Sequence, residues 1–471
     1  MLFSSITFLY YFLPATVLLY FAVPGRFKNA VLLLASLIFY FAGEPIYSLL
    51  LIASSLSGYF HGLIIEKYRG TNLSKIALAS SVTVSILLLG FFKYSNFFIS
   101  NINNIFRTEI DLLSIALPIG ISFYTFQILS YTIDLYRGKA KVQKNPFDFI
   151  TYVSLFPQLI AGPIVRYSTI QEELEKRTHS FENTAYGIGR FAIGLGKKIL
   201  VSNMLAELGV ILGDLQEKTV LSYWLAAIAF TLQIYFDFSG YSDMAIGLGR
   251  VFGFHFLENF DYPYISKTVT EFWRRWHISL GTWFRDYVYI PLGGNRVSKS
   301  RLILNILIVW GLTGFWHGAE WNFIIWGLYF GIILLIEKFF LLGLFEKLPC
   351  GIRSLIGHIY TVFITIIGFV IFNETSLSGL KLTLSSMFGM STSPLYNAES
   401  IYYLISYAPL IIIAAILSTP LLKKAYEYIC RSEAGSTVIL TLKPVCYIAI
   451  LALCTACLID GSFNPFIYFR F

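Results

Sequence analysis

The sequence predicts an all-α integral membrane protein. Three observations carry that prediction: 56% of the 471 residues are hydrophobic and only 13% charged, the mean hydropathy is +0.68, and long apolar stretches recur from one end to the other. The charged share is about half that of an ordinary soluble domain, and a soluble fold of this composition would precipitate. Crossing a hydrocarbon core of roughly 30 Å takes about 20 residues of helix. Stretches suited to this lie near 6–24, 30–43, 46–65, 76–92, 112–133, 185–202, 219–238, 302–317, 321–343, 354–372, 402–421 and 439–459. With re-entrant segments allowed for, about eleven to thirteen crossings are expected.

The first stretch has no basic residue before it and ends in Ala22-Val23-Pro24-Gly25-Arg26, without the small-x-small pattern of a cleaved signal. It is expected to remain as a span. Basic residues are retained on the cytoplasmic side of short loops. Arg26 and Lys28, then Lys67, Arg69 and Lys75, then Arg137, Lys139, Lys141 and Lys144 are each separated by an even number of expected spans, which places the N-terminus outside. The net charge of +8 is then explained by topology and anionic membrane lipids, not by nucleic acid. Five cysteines, an odd number set mostly in apolar runs, suggest no disulfide framework.

No repeat or low-complexity linker interrupts the chain, so residues 1–471 are expected to form a single polytopic domain. Within it, 241–301 is too polar to span yet rich in aromatic residues, which suits an interfacial or re-entrant segment. Gly240, Gly247, Gly249, Gly253, Pro263, Gly281, Pro291, Gly293 and Gly294 break it repeatedly. Irregular backbone at membrane depth survives where protein or a water-filled cavity meets its polar groups, so a cavity or funnel is expected here.

A titratable side chain in such surroundings is a functional hypothesis by default. His61, His179, His255 and His358 have ordinary interfacial or packing readings. His277 lies in Phe272-Trp273-Arg274-Arg275-Trp276-His277-Ile278-Ser279-Leu280, read as one amphipathic helix with Trp273, Trp276, His277 and Leu280 on a shared face. His317 closes the apolar run 302–316, between Gly314 and Gly318. An imidazole titrates near neutrality and can remove the proton of an attacking alcohol during acyl transfer from a thioester. The flanking glycines permit close approach, and Trp316 and Trp321 would exclude water. Taken alone, a histidine between two aromatic residues is more often a packing residue at a helix end. His317 and Glu320 have no third ligand at compatible spacing, so no metal is expected.

Three strings change the reading. The runs 233–245 (Gln-Ile-Tyr-Phe-Asp-Phe-Ser-Gly-Tyr-Ser-Asp-Met-Ala), 272–280 continuing through 283–296 (Trp-Phe-Arg-Asp-Tyr-Val-Tyr-Ile-Pro-Leu-Gly-Gly-Asn-Arg), and Phe315-Trp316-His317-Gly318 resemble the signature of bacterial membrane-bound O-acyltransferases. The branch is that of the alginate O-acetyltransferase membrane subunit and its peptidoglycan-acetylating relatives. Further similarity lies in 155–163 and 464–471. The resemblance implies a ring of about 11–13 transmembrane or re-entrant helices around a thinned centre, with funnels on the two sides. It makes His317 the catalytic histidine and His277 its second histidine, with Trp273, Arg274, Arg275, Trp276, Arg285 and Trp316 as candidate substrate-binding residues. It also implies a bacterial cytoplasmic (inner) membrane enzyme without a tightly bound cofactor. An acetyl group would pass from acetyl-CoA, or from an acyl-phosphopantetheine carrier protein, to a hydroxyl of an extracytoplasmic SGNH-type partner or of a cell-surface polysaccharide. The rival reading is a transporter or flippase for a lipid-linked or polysaccharide substrate, for which no paired halves are found.

Overall fold

The computed structural model describes residues 1–160 and 162–461. The terminal string 464–471 lies outside them, as does Ala161 of the 155–163 string. Among the described residues every regular element is a helix. The principal ones are α1 (Phe8–Ala22), α2 (Lys28–Phe41), α3 (Tyr47–Lys67), α4 (Asn72–Phe106), α5 (Ile121–Tyr136), α6 (Phe181–Gly196), α7 (Val220–Val251), α8 (Val269–Arg275) and α9 (Ile278–Phe284). They are followed by α10 (Lys299–His317), α11 (Trp321–Phe345), α12 (Cys350–Asn373), α13 (Ala398–Leu417) and α14 (Glu433–Ile459).

Seven described helices, α3, α4, α7, α11, α12, α13 and α14, are long and apolar enough to cross a membrane. The protein is a multi-pass membrane protein. The gap between seven and the expected eleven to thirteen has a physical reason: an apolar window does not report helix length. The stretch expected at 30–43 folds as a helix of 14 residues, and that at 112–133 yields only the 16 residues of α5. At 1.5 Å per residue such helices reach roughly 21–24 Å, short of a full span. Residues 107–118 are not helical at all. Their backbone is met instead by two amides two turns apart on α4. Asn96 accepts from Leu113 N–H at 2.8 Å and donates to its carbonyl at 3.0 Å, and Asn103 treats Ile110 likewise at 3.0 and 2.8 Å.

The described residues form two compact units, 1–191 with 241–257, and 192–240 with the residues from 258 onward. In the first, the rings of Phe3, Phe8, Phe39 and Phe156 pack at centroid separations of 4.8 to 6.3 Å, and Arg190 pairs with Asp243 at 2.7 Å.

The second unit holds the histidines of interest. Lys198 and Asp237 form an ion pair at 2.8 Å with side chains 3% and 1% exposed. Charges this deep are retained only when paired. The neighbouring helices α10 and α11 touch backbone to backbone. A Cβ on Gly314 would fall 2.2 Å from the Phe323 carbonyl oxygen, and one on Gly327 would fall 2.2 Å from that of Trp310. Gly314 on one helix and Gly327-x-x-x-Gly331 on the other are small residues that let helices approach without a hydrophobic drive in lipid. Of the glycines beside His317, Gly314 therefore admits a helix and Gly318, just past the helix end, admits the Phe323 ring.

A carboxylate sets the start of α8. Glu337, fully buried where α11 makes a π-helical turn, accepts from Val269 N–H at 2.5 Å, Thr270 N–H at 2.8 Å and Thr270 Oγ1 at 2.6 Å. These are amides that a helix N-terminus leaves without partners, and a negative charge there suits the helix dipole.

Candidate active site

Trp273, Trp276, His277 and Leu280 do share a surface, but not on one helix. α8 stops at Arg275, Trp276 is extended (φ −102°, ψ 129°), and His277 is left-handed at φ 45°, ψ 53° before α9 resumes. This corrects the single helix expected over 272–280. A left-handed residue other than glycine costs about 1–3 kcal/mol and persists only where its surroundings hold it. Here Ile278 N–H donates to the Asn259 carbonyl at 3.0 Å, and Asp261 N–H donates to the Arg275 carbonyl at 2.9 Å.

The broken segment forms one wall of a cavity of about 840 Å³, lined among others by Trp273, Arg274, Trp276, His277, Leu280 and Arg285. The opposite wall is a stripe of α10, Ile306, Val309, Trp310 and Thr313, with Lys338 of α11 beside it. His277 is 2% exposed, and burial holds its imidazole well below the ordinary value, so the ring is neutral. Its edge meets Phe238 at 4.6 Å and Trp316 at 6.1 Å.

His317 is 7% exposed and does not line this cavity. It is the last helical residue of α10, four residues beyond Thr313 and so on the same face one turn on. Its ring is flanked by Trp316 at 5.0 Å, Trp326 at 5.1 Å and Phe372 at 5.3 Å. Trp316 touches both histidine rings and does not line the cavity.

The two adjacent arginines of the motif are put to different uses. Arg275 is held by Glu271 and Asp261, each at 3.0 Å, and stays outside the cavity lining. Arg274 lines the cavity and makes no ion pair among the described residues. Arg285 lines it too while pairing with Asp286 at 2.7 Å, a carboxylate that raises its guanidinium further. Lys338, absent from the sequence candidates, donates to Asn295 at 3.2 Å. A charge pair, Glu337-Lys338, at the end of an apolar run was the signal that could have found it. The cavity thus joins an apolar, tryptophan-rich interior to cations able to meet an anionic ligand. Among the described residues no three His, Cys, Asp or Glu side chains gather as metal ligands would.

Similarity to known proteins falls on the same region. The model of the membrane-bound O-acyltransferase family matches residues 137–378. The probable alginate O-acetylase of Pseudomonas aeruginosa is 42% identical over 397 residues, 83% of this chain and 76% of that protein. That of Azotobacter vinelandii is 43% identical over 382 residues, 80% of this chain and 76% of its own length. The peptidoglycan O-acetyltransferase of Helicobacter pylori is 37% identical over 373 residues, covering 72% of this chain and 70% of that one.

Proposed function

Since the chain belongs to the membrane-bound O-acyltransferase family, close to the alginate O-acetylases, and is an O-acyltransferase, we propose that it moves an acetyl group from a cytoplasmic thioester to a hydroxyl on the outer side of a bacterial inner membrane. The acceptor hydroxyl belongs to an extracytoplasmic SGNH-type partner or to a cell-surface polysaccharide, and the N-terminus lies outside. The observation that carries this reading is the cavity itself. Arg274, Arg285, Lys338 and His277 line it together with α10 up to Thr313, one turn before His317.

In the reaction, acetyl-CoA or an acyl-phosphopantetheine carrier places its phosphates against Arg274 and Lys338, while the acyl arm runs along the tryptophan-lined wall. His317 takes the proton of the acceptor hydroxyl as its oxygen bonds to the thioester carbonyl carbon. The tetrahedral centre collapses, the carbon–sulfur bond breaks, and the proton passes from His317 to the departing thiolate. The neutral His277 orients the acyl donor. Trp316, Trp326 and Phe372 around His317 keep out water, which would otherwise hydrolyse the thioester.

The test is acetyl transfer in proteoliposomes with acetyl-CoA as donor, read as CoA released and acetyl gained by a glycan or partner serine. His317→Gln is expected to lower kcat by about 10²–10⁴ with the amount of protein in the membrane unchanged. Acetylation by that variant at near-native rate would falsify the assignment.

A further inference from the structure

Asn259 lies outside every motif noted in the sequence, yet it is fully buried against the break that carries His277. Its side-chain oxygen meets three groups: Ser279 N–H at 3.2 Å, Ser279 Oγ at 2.9 Å and His277 Nδ1 at 3.2 Å. A backbone N–H can only donate, so the atom it meets is the carboxamide oxygen and not the amide nitrogen. A carboxamide oxygen can only accept. Ser279 Oγ also lies 3.5 Å from Nδ1, but its one proton goes to the Asn259 oxygen at 2.9 Å. The ring nitrogen facing that oxygen therefore carries the proton, which makes His277 the Nδ1–H tautomer and leaves the lone pair on Nε2. Nε2 is buried and accepts no hydrogen bond from the described residues, while the His277 ring lines the cavity. An unmet acceptor in such a place is costly to leave empty and ready for a donor.

We propose that Asn259 is a positioning residue that holds His277 as the Nδ1–H tautomer, so that Nε2 accepts a hydrogen bond from an N–H or O–H of the substrate and does not donate one to the developing oxyanion. The assignment deepens the acyl-transfer reading above and rests on it for the identity of that substrate. Residues 259–261 also pair with both sides of the left-handed turn, so one short segment sets both the orientation of the ring and its proton.

Two variants and one spectrum test this in the full-length protein. Asn259→Leu removes the acceptor, and kcat with acetyl-CoA is expected to fall by about thirtyfold, within the range typical of groups that orient a functional histidine, with KM moving less than about threefold. Asn259→Asp keeps an oxygen opposite Nδ1. It is expected to restore kcat to within about threefold, with the acidic limb of the kcat profile moved to higher pH, because a carboxylate there favours the protonated ring. Native kcat in Asn259→Leu, or equal loss in both variants, overturns the proposal. The ¹⁵N spectrum of histidine-labelled protein, with His277 assigned by its loss in His277→Gln, is expected to show a protonated Nδ1 and a bare Nε2. The opposite tautomer sinks the proposal, whether or not Asn259→Leu folds. Since the spectrum needs no substrate, its outcome is independent of the transfer assay: no acetyl transfer by the native protein alongside a protonated Nδ1 would remove the acyl-transfer reading and leave the tautomer assignment standing.

Discussion

His277 and His317 sit on different kinds of backbone. His277 sits in a left-handed turn kept there by hydrogen bonds from a segment eighteen residues away in sequence, Asn259 to its ring and backbone carbonyl to Ile278. His317 ends a regular helix, with aromatic rings on its sides and a glycine-to-glycine contact between its helix and α11. Hydrogen bonds specify direction, so the first arrangement can set a proton's position. Packing specifies place and excludes water, which suits a base next to a hydrolysable thioester. The proposed roles follow that difference: His277 for orientation, His317 as a base screened from water.

The comparison can be broken most forcefully at the buried ion pair next to the polar side. Asp237 precedes Phe238, whose ring packs on His277. Asp237→Ala removes the carboxylate 2.8 Å from the buried Lys198 and is expected to cost about 3–5 kcal/mol, read as a lower midpoint of thermal unfolding in detergent. Adding Lys198→Met should return most of that loss. A single variant that melts with the native protein would show that the pair does not anchor this wall.

On the packed side, Gly314→Val places a side chain against the Phe323 carbonyl. It should cost about 1–3 kcal/mol as α10 and α11 are forced apart, and acetylation should fall with it because His317 moves with α10. The equivalent change at Gly343, whose Cβ would meet nothing within 4 Å, is the control and should leave both measurements unchanged. Glu337→Gln keeps the shape of the cap and removes its charge. A loss of about 1.5–3 kcal/mol is expected for hydrogen bonds to an ionised group, with faster amide exchange at Val269 and Thr270 as the specific readout.

The smallest effect separates the two arginines. Arg274→Ala is expected to raise KM for acetyl-CoA by about tenfold, the loss of one charge-assisted contact worth roughly 1.4 kcal/mol, with stability intact. Arg275→Ala should leave KM within about twofold and lower the melting midpoint slightly, because its two carboxylate partners are part-exposed. Equal KM changes in both would erase the distinction drawn between them.

Much of this was legible in the residues themselves. An imidazole after fifteen apolar residues, and an Arg-Arg-Trp-His run amid glycines and tryptophans, stand out because burying a polar group costs free energy that function must justify. Spacing alone also placed Trp273, Trp276, His277 and Leu280 on a common surface, although the helix assumed for them is broken. The break was hidden because nothing local demands it: histidine carries no mark of a left-handed conformation, and the hydrogen bonds that impose it come from Asn259 and Asp261. For the same reason the two arginines looked alike until their neighbours were known.

The sequence by itself determined the membrane class and the helical content and set two histidines apart as candidates, since apolar run length and the cost of buried charge are properties of the chain read in order. Only the tertiary structure decided which apolar stretches become helices long enough to span, which arginine faces the cavity, that Glu337 caps α8, and that His317 lies a turn beyond the cavity His277 lines. Each of those depends on a partner many residues distant. A hydrogen bond or a helix contact is set by distance in space, and order along the chain does not encode that distance locally.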